Sequence, residues 1–280
     1  MASSIPPKTS HLERTAAEPR NQFSAGQWLD VFCPGIPRAG GFTITSPPSL
    51  AAATAQSPGY LELAVQKSPG NPPAAWLWQD PSSSLLDQHL QVRVGGSFVW
   101  PPPALLSTTD NENDAATTTK PETRRVVLVA GGVGINPLMS MLSAMAEKEN
   151  QDGSVDFQVQ MLYSMKDPGP GRRHATKLLF LERIAEIFAS GRVQGKLQLY
   201  LTGAEGDGSV AWRGGEIAFR GRRITKEDLR QAVGEDPVER KSTVAYVCGV
   251  PNMTDEFVKE LSSEDGLGMG PERVLCEKWW

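Results

Sequence analysis

The chain has 280 residues, a formal net charge of −4, and 39% hydrophobic and 21% charged residues, which suits a globular protein long enough for two domains with separate cores. The acidic balance and the lack of a long basic run argue against nucleic acid or an anionic membrane surface as partner, and no apolar run approaches the ~20 residues of a membrane span. Three scattered cysteines (Cys33, Cys248, Cys276) and three histidines without paired spacing exclude a four-cysteine cluster, predict no metal centre, and suit a reducing intracellular compartment, mitochondrion or cytoplasm.

Met1 to Arg20 is rich in Ser, Thr, Ala and Pro without hydrophobic period, and reads as a poorly ordered tail. Its start carries no acid before Glu13, as in transit peptides, but also few basic residues. From Asn21 to Pro103 short β-rich runs alternate with Gly/Pro punctuation: Gln27 to Phe32, Gly41 to Ser46, Tyr60 to Val65 and Leu90 to Gly95. They predict a small antiparallel barrel. Leu106 to Arg124 is polar and aperiodic, a linker or long surface loop.

Beyond it the pattern alternates strand and helix. Strands are expected at 125–130, 155–164, 196–203, 242–249 and 273–279, with helices between them, which predicts a doubly wound, parallel five-stranded sheet. Val126 to Ala130 is a β-branched apolar run of the kind buried on both faces of such a sheet. Gly131, Gly132 and Gly134 follow, then Pro137 in the first helical turn, with Leu138, Met141, Leu142 and Met145 recurring down one helix face. A helix N-terminus above a glycine turn offers unpaired N–H groups and the positive end of a dipole to phosphates. No Gly-Lys-Ser/Thr follows, so this is no NTPase phosphate loop. On the glycines alone, a ligand-free βα turn is as good a reading as nucleotide binding.

The order of parts is more specific. A small barrel, then Gly-Gly-x-Gly-x-x-Pro (Gly131 to Pro137), Cys-Gly-x-Pro (Cys248 to Pro251) and a Glu-x-aromatic end (Glu277 to Trp279) resemble the ferredoxin reductase superfamily of flavin and nicotinamide enzymes. Gly40 to Ser46, Cys276 to Trp280 and the tail His11 to Glu18 carry a closer likeness to one branch of it. Between the tail at 1–20 and the linker at 106–124 read from composition, the resemblance implies a flavin-binding-like barrel at 21–105, and after the linker an NAD(P)-binding α/β domain at 125–280. It implies that Gly131, Gly132, Gly134, Ile135, Asn136 and Pro137 form the turn that holds the nicotinamide nucleotide's pyrophosphate. Cys248 would lie near the nicotinamide ring, with Gly249, Pro251, Asn252 and Met253 in the same loop. Thr43, Cys248 and Glu277 would be the catalytic set, Glu277 positioning nicotinamide or relaying a proton. Phe42 would stack on a flavin that Trp279 covers, with the Thr43 hydroxyl at flavin N5. The alternative for Cys248 is a buried apolar cysteine at a strand end.

The flavin half departs from the superfamily pattern. Gly40 to Thr43 stands where Arg-x-Tyr-Ser/Thr is usual, so the phosphate-pairing Arg is gone, leaving Arg38 as the nearby base. Asn71 to Ala74 replaces a second phosphate-facing turn and lacks its hydroxyl. The barrel also looks short by its first strands, leaving an edge that folded proteins normally cover. FAD is therefore expected to bind weakly. Thr202-Gly203, where NADPH-preferring members tend to have Ser-Arg, favours NAD(H) over NADP(H), with Lys166, Arg172 and Arg173 as bases that could reach instead. Two functions remain: an NAD(P)H-dependent flavoprotein oxidoreductase passing hydride to flavin and electrons to an unnamed acceptor, such as a redox partner protein, or a non-catalytic nucleotide-binding protein with a degenerate flavin site.

Overall fold

The computed structural model describes residues 8–13, 23–52, 54, 58–79, 85, 88–103, 123–152 and 157–278. The linker expected at 106–124 lies outside them but for its last two residues, and so does Trp279.

The N-terminal half begins with β1 (Lys8–Glu13), where the sequence predicted a disordered tail. β1 runs antiparallel to β4 (Tyr60–Val65) along its whole length. Backbone pairing to an otherwise open edge orders this segment, which explains why no hydrophobic period announced it. β2 (Trp28–Phe32) lies between β3 (Gly40–Thr43) and β5 (Gln91–Gly95), all antiparallel. A bridge between Ile44 and Leu63 joins the two small sheets. Among the described residues the barrel is not closed, in line with the short barrel expected from the sequence. Leu29, Val31, Ile44 and Leu63 form its apolar centre, with Ala74 and Leu77 from the short helix α1 (Pro72–Leu77).

The C-terminal half is a seven-stranded sheet. The five expected strands are contiguous and parallel, in the order β12, β11, β6, β7, β8: β6 (Arg125–Gly131), β7 (Gln158–Lys166), β8 (Gly195–Thr202), β11 (Thr243–Gly249) and β12 (Val274–Lys278). Two strands absent from the sequence reading extend it beyond β8. β10 (Gly215–Arg220) pairs parallel to β8, and β9 (Gly208–Trp212) turns back along β10. They are short and flanked by glycines, but Val210/Trp212 and Ile217/Phe219 alternate about a two-residue turn, a legible hairpin pattern.

Alternate residues of β6 face opposite cores. Val126, Leu128 and Ala130 meet α2 (Ile135–Asp152) and α3 (Leu181–Ala189), while Val127 and Val129 meet α4 (Lys226–Val233) and α6 (Pro251–Ser262). The short α5 (Pro237–Arg240) precedes β11. All five of those β6 residues are fully buried, the valines and the leucine each contributing up to roughly 1.5–3 kcal/mol of hydrophobic stabilisation and Ala130 less. No helix is long and apolar enough to cross a membrane among the described residues.

The halves are locked by buried polar contacts. Tyr246 Oη donates to Val99 O (2.8 Å), and its ring meets Phe98 edge-on. Ser140 Oγ donates to Ser46 O (2.7 Å) and Asn136 Nδ2 to Ala64 O (3.0 Å). Arg183 donates to Glu62 Oε1 and to Ser143 Oγ, both at 3.0 Å, and Thr45 Oγ1 donates to the same Glu62 oxygen at 2.6 Å.

Candidate functional site

The first strand of the sheet, β6, has β7 on one side and β11 on the other, so the chain winds outward in both directions from it. Folds of this type bind ligands at such a reversal, beyond the carboxyl ends of the strands. A cavity of about 1130 Å³ lies there. Its floor is Gly131, Gly132 and Val133, directly after β6. On one side stand Ser164, Met165 and Lys166 of β7 and Thr202 of β8; on the other, Gly249, Val250, Asn252 and Met253 beyond β11. Gln66, from the N-terminal half, completes the rim.

The glycines act in different ways. Gly132 takes φ +56° with nothing within 4 Å of an added Cβ, so it serves the turn's backbone conformation and leaves the space above open. Gly131 and Gly249 approach closely: a Cβ on Gly249 would lie 3.2 Å from the Gly131 Cα, and one on Gly131 would lie 2.7 Å from Met253 Sδ. Two strand ends thus meet under the Met253 thioether. Gly134 faces the Cys248 carbonyl instead of the cavity, so its smallness serves helix-on-strand packing, not phosphate access. The sequence expectation, which placed Gly134 in a turn that holds a pyrophosphate, did not include this contact.

Of the other expected nucleotide residues, Thr202, Gly249, Asn252 and Met253 line the cavity. Ile135, Asn136 and Pro137 are buried and do not. Ile135 joins the apolar core and the Asn136 amide is directed to Ala64 of β4. Pro251 starts α6 as its first residue. The Thr202 hydroxyl donates to Met165 O at 3.2 Å.

The three expected catalytic residues are not assembled at the cavity. Cys248 is fully buried at the end of β11, and Glu277 is its neighbour in register on β12. Thr43 is buried in β3 of the small sheet. None of the three lines the cavity. Every residue of β11 is buried and the Cys248 side chain belongs to the apolar core, and spacing along a chain does not report which face of a strand a side chain takes.

Phe42 is half-buried, and its ring, with Pro73 of α1, covers Gly40: a Cβ there would sit 2.6 Å from each. The N-terminus of α1 is already satisfied. Pro72 and Pro73 have no N–H, Ala74 N donates to Asn71 Oδ1 (3.2 Å) and Ala75 N to Asn71 O (2.8 Å).

The sequence reading missed several wall residues, among them Tyr163, His174, Lys177, Arg223 and Glu256. Tyr163 Oη donates to Leu179 O at 3.2 Å, and burial pushes its phenol far above the usual range. Position at the carboxyl end of a parallel strand was the signal that had already singled out Lys166 and Thr202; Arg223 reaches the cavity only through the unexpected β9–β10 hairpin. Behind it, Arg220 and Arg222 pair with buried Asp228 at 2.6 and 2.5 Å, and Arg173 grips Asp167 through two bonds of 3.0 and 2.7 Å. Arg173, named beforehand as a possible ligand base, is thus engaged elsewhere.

Residues 128–259 match the family described as Oxidoreductase NAD-binding domain. The chain is 32% identical over 279 residues to oxidoreductase NAD-binding domain-containing protein 1 of Bos taurus, covering 98% of this chain and 77% of that protein. The protein of that name from Danio rerio is 33% identical over 272 residues, 96% of this chain and 86% of its own length. Among solved structures, ferredoxin-NADP+ reductase from Plasmodium falciparum with 2'P-AMP aligns with a TM-score of 0.60 at 13% identity, over 98% of this chain and 89% of that one. The flavohem-like FAD/NAD binding domain of nitric oxide dioxygenase from Vibrio cholerae gives 0.56 at 17% identity, over 100% and 94%. An intact type IV self-sufficient cytochrome P450 monooxygenase gives 0.58 at 18% identity over 99% of this chain, which spans 26% of that enzyme's length. At these identities the structural likeness is one of fold.

Proposed function

The chain belongs to the family of oxidoreductase NAD-binding domain-containing protein 1, with a ferredoxin reductase-like pyridine nucleotide oxidoreductase fold, and from that premise we propose that it binds a nicotinamide dinucleotide across the cavity at the β6 turn. The observation that carries this reading is the open turn Gly131 to Val133 at the point where the sheet reverses, followed directly by α2. Its N–H groups and the helix dipole would hold the pyrophosphate. Gly249, Val250, Asn252 and Met253 would wall the nicotinamide end; Thr202 and Ile224 would wall the adenosine end. A bound reduced nicotinamide supplies a hydride from C4. Cys248 and Glu277, side by side behind Gly249, would shape that end without touching the ring.

The flavoprotein reading implied by the resemblance needs a place for FAD, which the Vibrio domain's title names. The residues here do not fit its phosphates. Gly40 has no room for a side chain, and α1 presents prolines and a self-capped N–H where a phosphate would need free donors. The reading favoured here is therefore a nicotinamide-nucleotide-binding protein without a resident FAD, whose redox turnover needs an acceptor from outside the chain.

Calorimetric titration of the dialysed protein with NADH and NADPH tests this. Saturable one-to-one binding of either supports it; heat indistinguishable from buffer with both rejects it.

A further inference from the structure

We propose that the β7–β8 wall of this cavity is a subsite for a ribose 2′-phosphate, formed by Lys166, Arg172 and Arg223, so that the ligand is NADP(H) in preference to NAD(H). The inference rests on the nucleotide-binding reading above and names its ligand class.

In a chain of net charge −4, the cavity wall reverses sign. It carries Lys166, Arg172, Lys177 and Arg223 against one carboxylate, Glu256. The cations are grouped. Lys166 is the last residue of β7, Arg172 ends the turn Pro170–Arg172, and Arg223 follows β10. Glu256 belongs to α6, on the β11 side. The basic wall therefore stands on the far side of the glycine turn from Asn252 and Met253, where the adenosine half would lie.

Pairing separates these residues from the basic groups around them. Arg173, Arg220 and Arg222 each hold a carboxylate, Asp167 or Asp228. Lys166, Arg172 and Arg223 have no hydrogen bond or ion pair from their side chains to any described residue, and all three are exposed. Asp167 and Asp228 are thus held by arginines outside the cavity, and Glu205 and Asp207 of the loop after β8 are exposed to solvent. The cations facing the cavity, although Arg172 feels the Asp167 charge at longer range, have no carboxylate at ion-pair distance among the described residues.

A pyrophosphate at the β6 turn is served by backbone N–H groups and the α2 dipole. It leaves the basic wall uncompensated. A phosphate monoester with its second pKa near 6 brings about two further negative charges at pH 7, and planar guanidinium groups bind such an anion through paired N–H donors. The expectation of NAD(H) rested on Thr202-Gly203 standing where Ser-Arg would supply the charge. Here the charge comes from three other segments, one of them delivered by the β9–β10 hairpin.

The test compares NADPH and NADH by calorimetry on the full chain and on the double variant Arg172→Ala/Arg223→Ala. The unmodified chain is expected to bind NADPH roughly ten-fold or more tightly over NADH, the scale of one charge-assisted contact. The double variant should lose that margin through weaker NADPH binding, with NADH affinity kept within about two-fold. Arg172→Lys/Arg223→Lys should retain part of it. NADH binding equal to or tighter than NADPH overturns the subsite and leaves the nucleotide reading standing. Equal loss of both ligands in the double variant also overturns the subsite, and failure of the unmodified chain to bind either overturns both.

Discussion

Gly134 is packed against Cys248 so closely that any Cβ would collide with the Cys248 carbonyl and stand 2.7 Å from Gly249 N. The first turn of α2 rests directly on the end of β11, and an added methyl must push one of them away. Gly134→Ala is expected to destabilise the protein by about 1–3 kcal/mol, the scale of overpacking. At this chain length that lowers the thermal midpoint by several degrees. A Gly134→Ala midpoint equal to the parent's would show that the helix and strand yield to the added methyl without cost.

Gly132 should respond in the opposite way. Its surroundings are open but its φ is +56°, a region that costs a non-glycine residue about 1–2 kcal/mol. Gly132→Val adds to that strain a branched side chain above the turn. It should weaken nicotinamide nucleotide binding by at least ten-fold while far-ultraviolet circular dichroism stays that of the parent. Unchanged affinity would place the phosphates away from this turn.

Asp228 ties α4 to the strand that precedes it. Burial pushes its carboxyl up, but hydrogen bonds from Arg222 and from the Thr225 N–H and hydroxyl, with the Arg222 charge, outweigh that and hold it far below the usual carboxylate range. A folded-state pKa below the unfolded value near 3.9 stabilises the fold at higher pH. The contribution is complete above about pH 5 and fades as the pH falls below about 4. Asp228→Asn should cost roughly 2–3 kcal/mol at pH 7. The gap to the parent should narrow in acid. Denaturant unfolding at pH 7 and pH 3 measures both, and a gap that is the same at the two pH values would show that the charge is not what matters.

Arg183 of α3 joins the halves through Glu62 of β4, while its bond to Ser143 of α2 holds it within its own half. Its removal leaves Glu62, which is mostly buried, without that cation. Arg183→Leu should therefore increase amide hydrogen exchange in β4 and β3 with little change in β6 or β7. Uniform protection in the two proteins would show that the apolar contacts alone hold the halves together.

Dialysed protein should be colourless, and excess FAD should leave after a second dialysis. The closed N-terminus of α1 and the filled space over Gly40 are the reasons. FAD retained at one per chain would contradict this; its loss on Arg38→Ala would then show that this exposed base had taken over the phosphate.

The order of strands and helices in the C-terminal half was legible in the sequence because each buried strand must be an apolar run and each helix must show an apolar stripe. Val126 to Ala130 and Leu138 to Met145 did so, and the motif order pointed to the family. The four runs that became β2 to β5 in the two small sheets were equally plain. β1 was not, because its order comes from backbone pairing with Tyr60–Val65 and backbone hydrogen bonds leave no side-chain pattern. The site was decided mostly by tertiary structure. That Gly132 opens to the cavity while Gly134 is pressed on Cys248 depends on how a helix sits on a strand. That Arg223 faces a ligand cavity while Arg220 and Arg222 face Asp228 depends on where a hairpin joins the sheet. A charge in a sequence has no direction until the fold has spent the opposing charges.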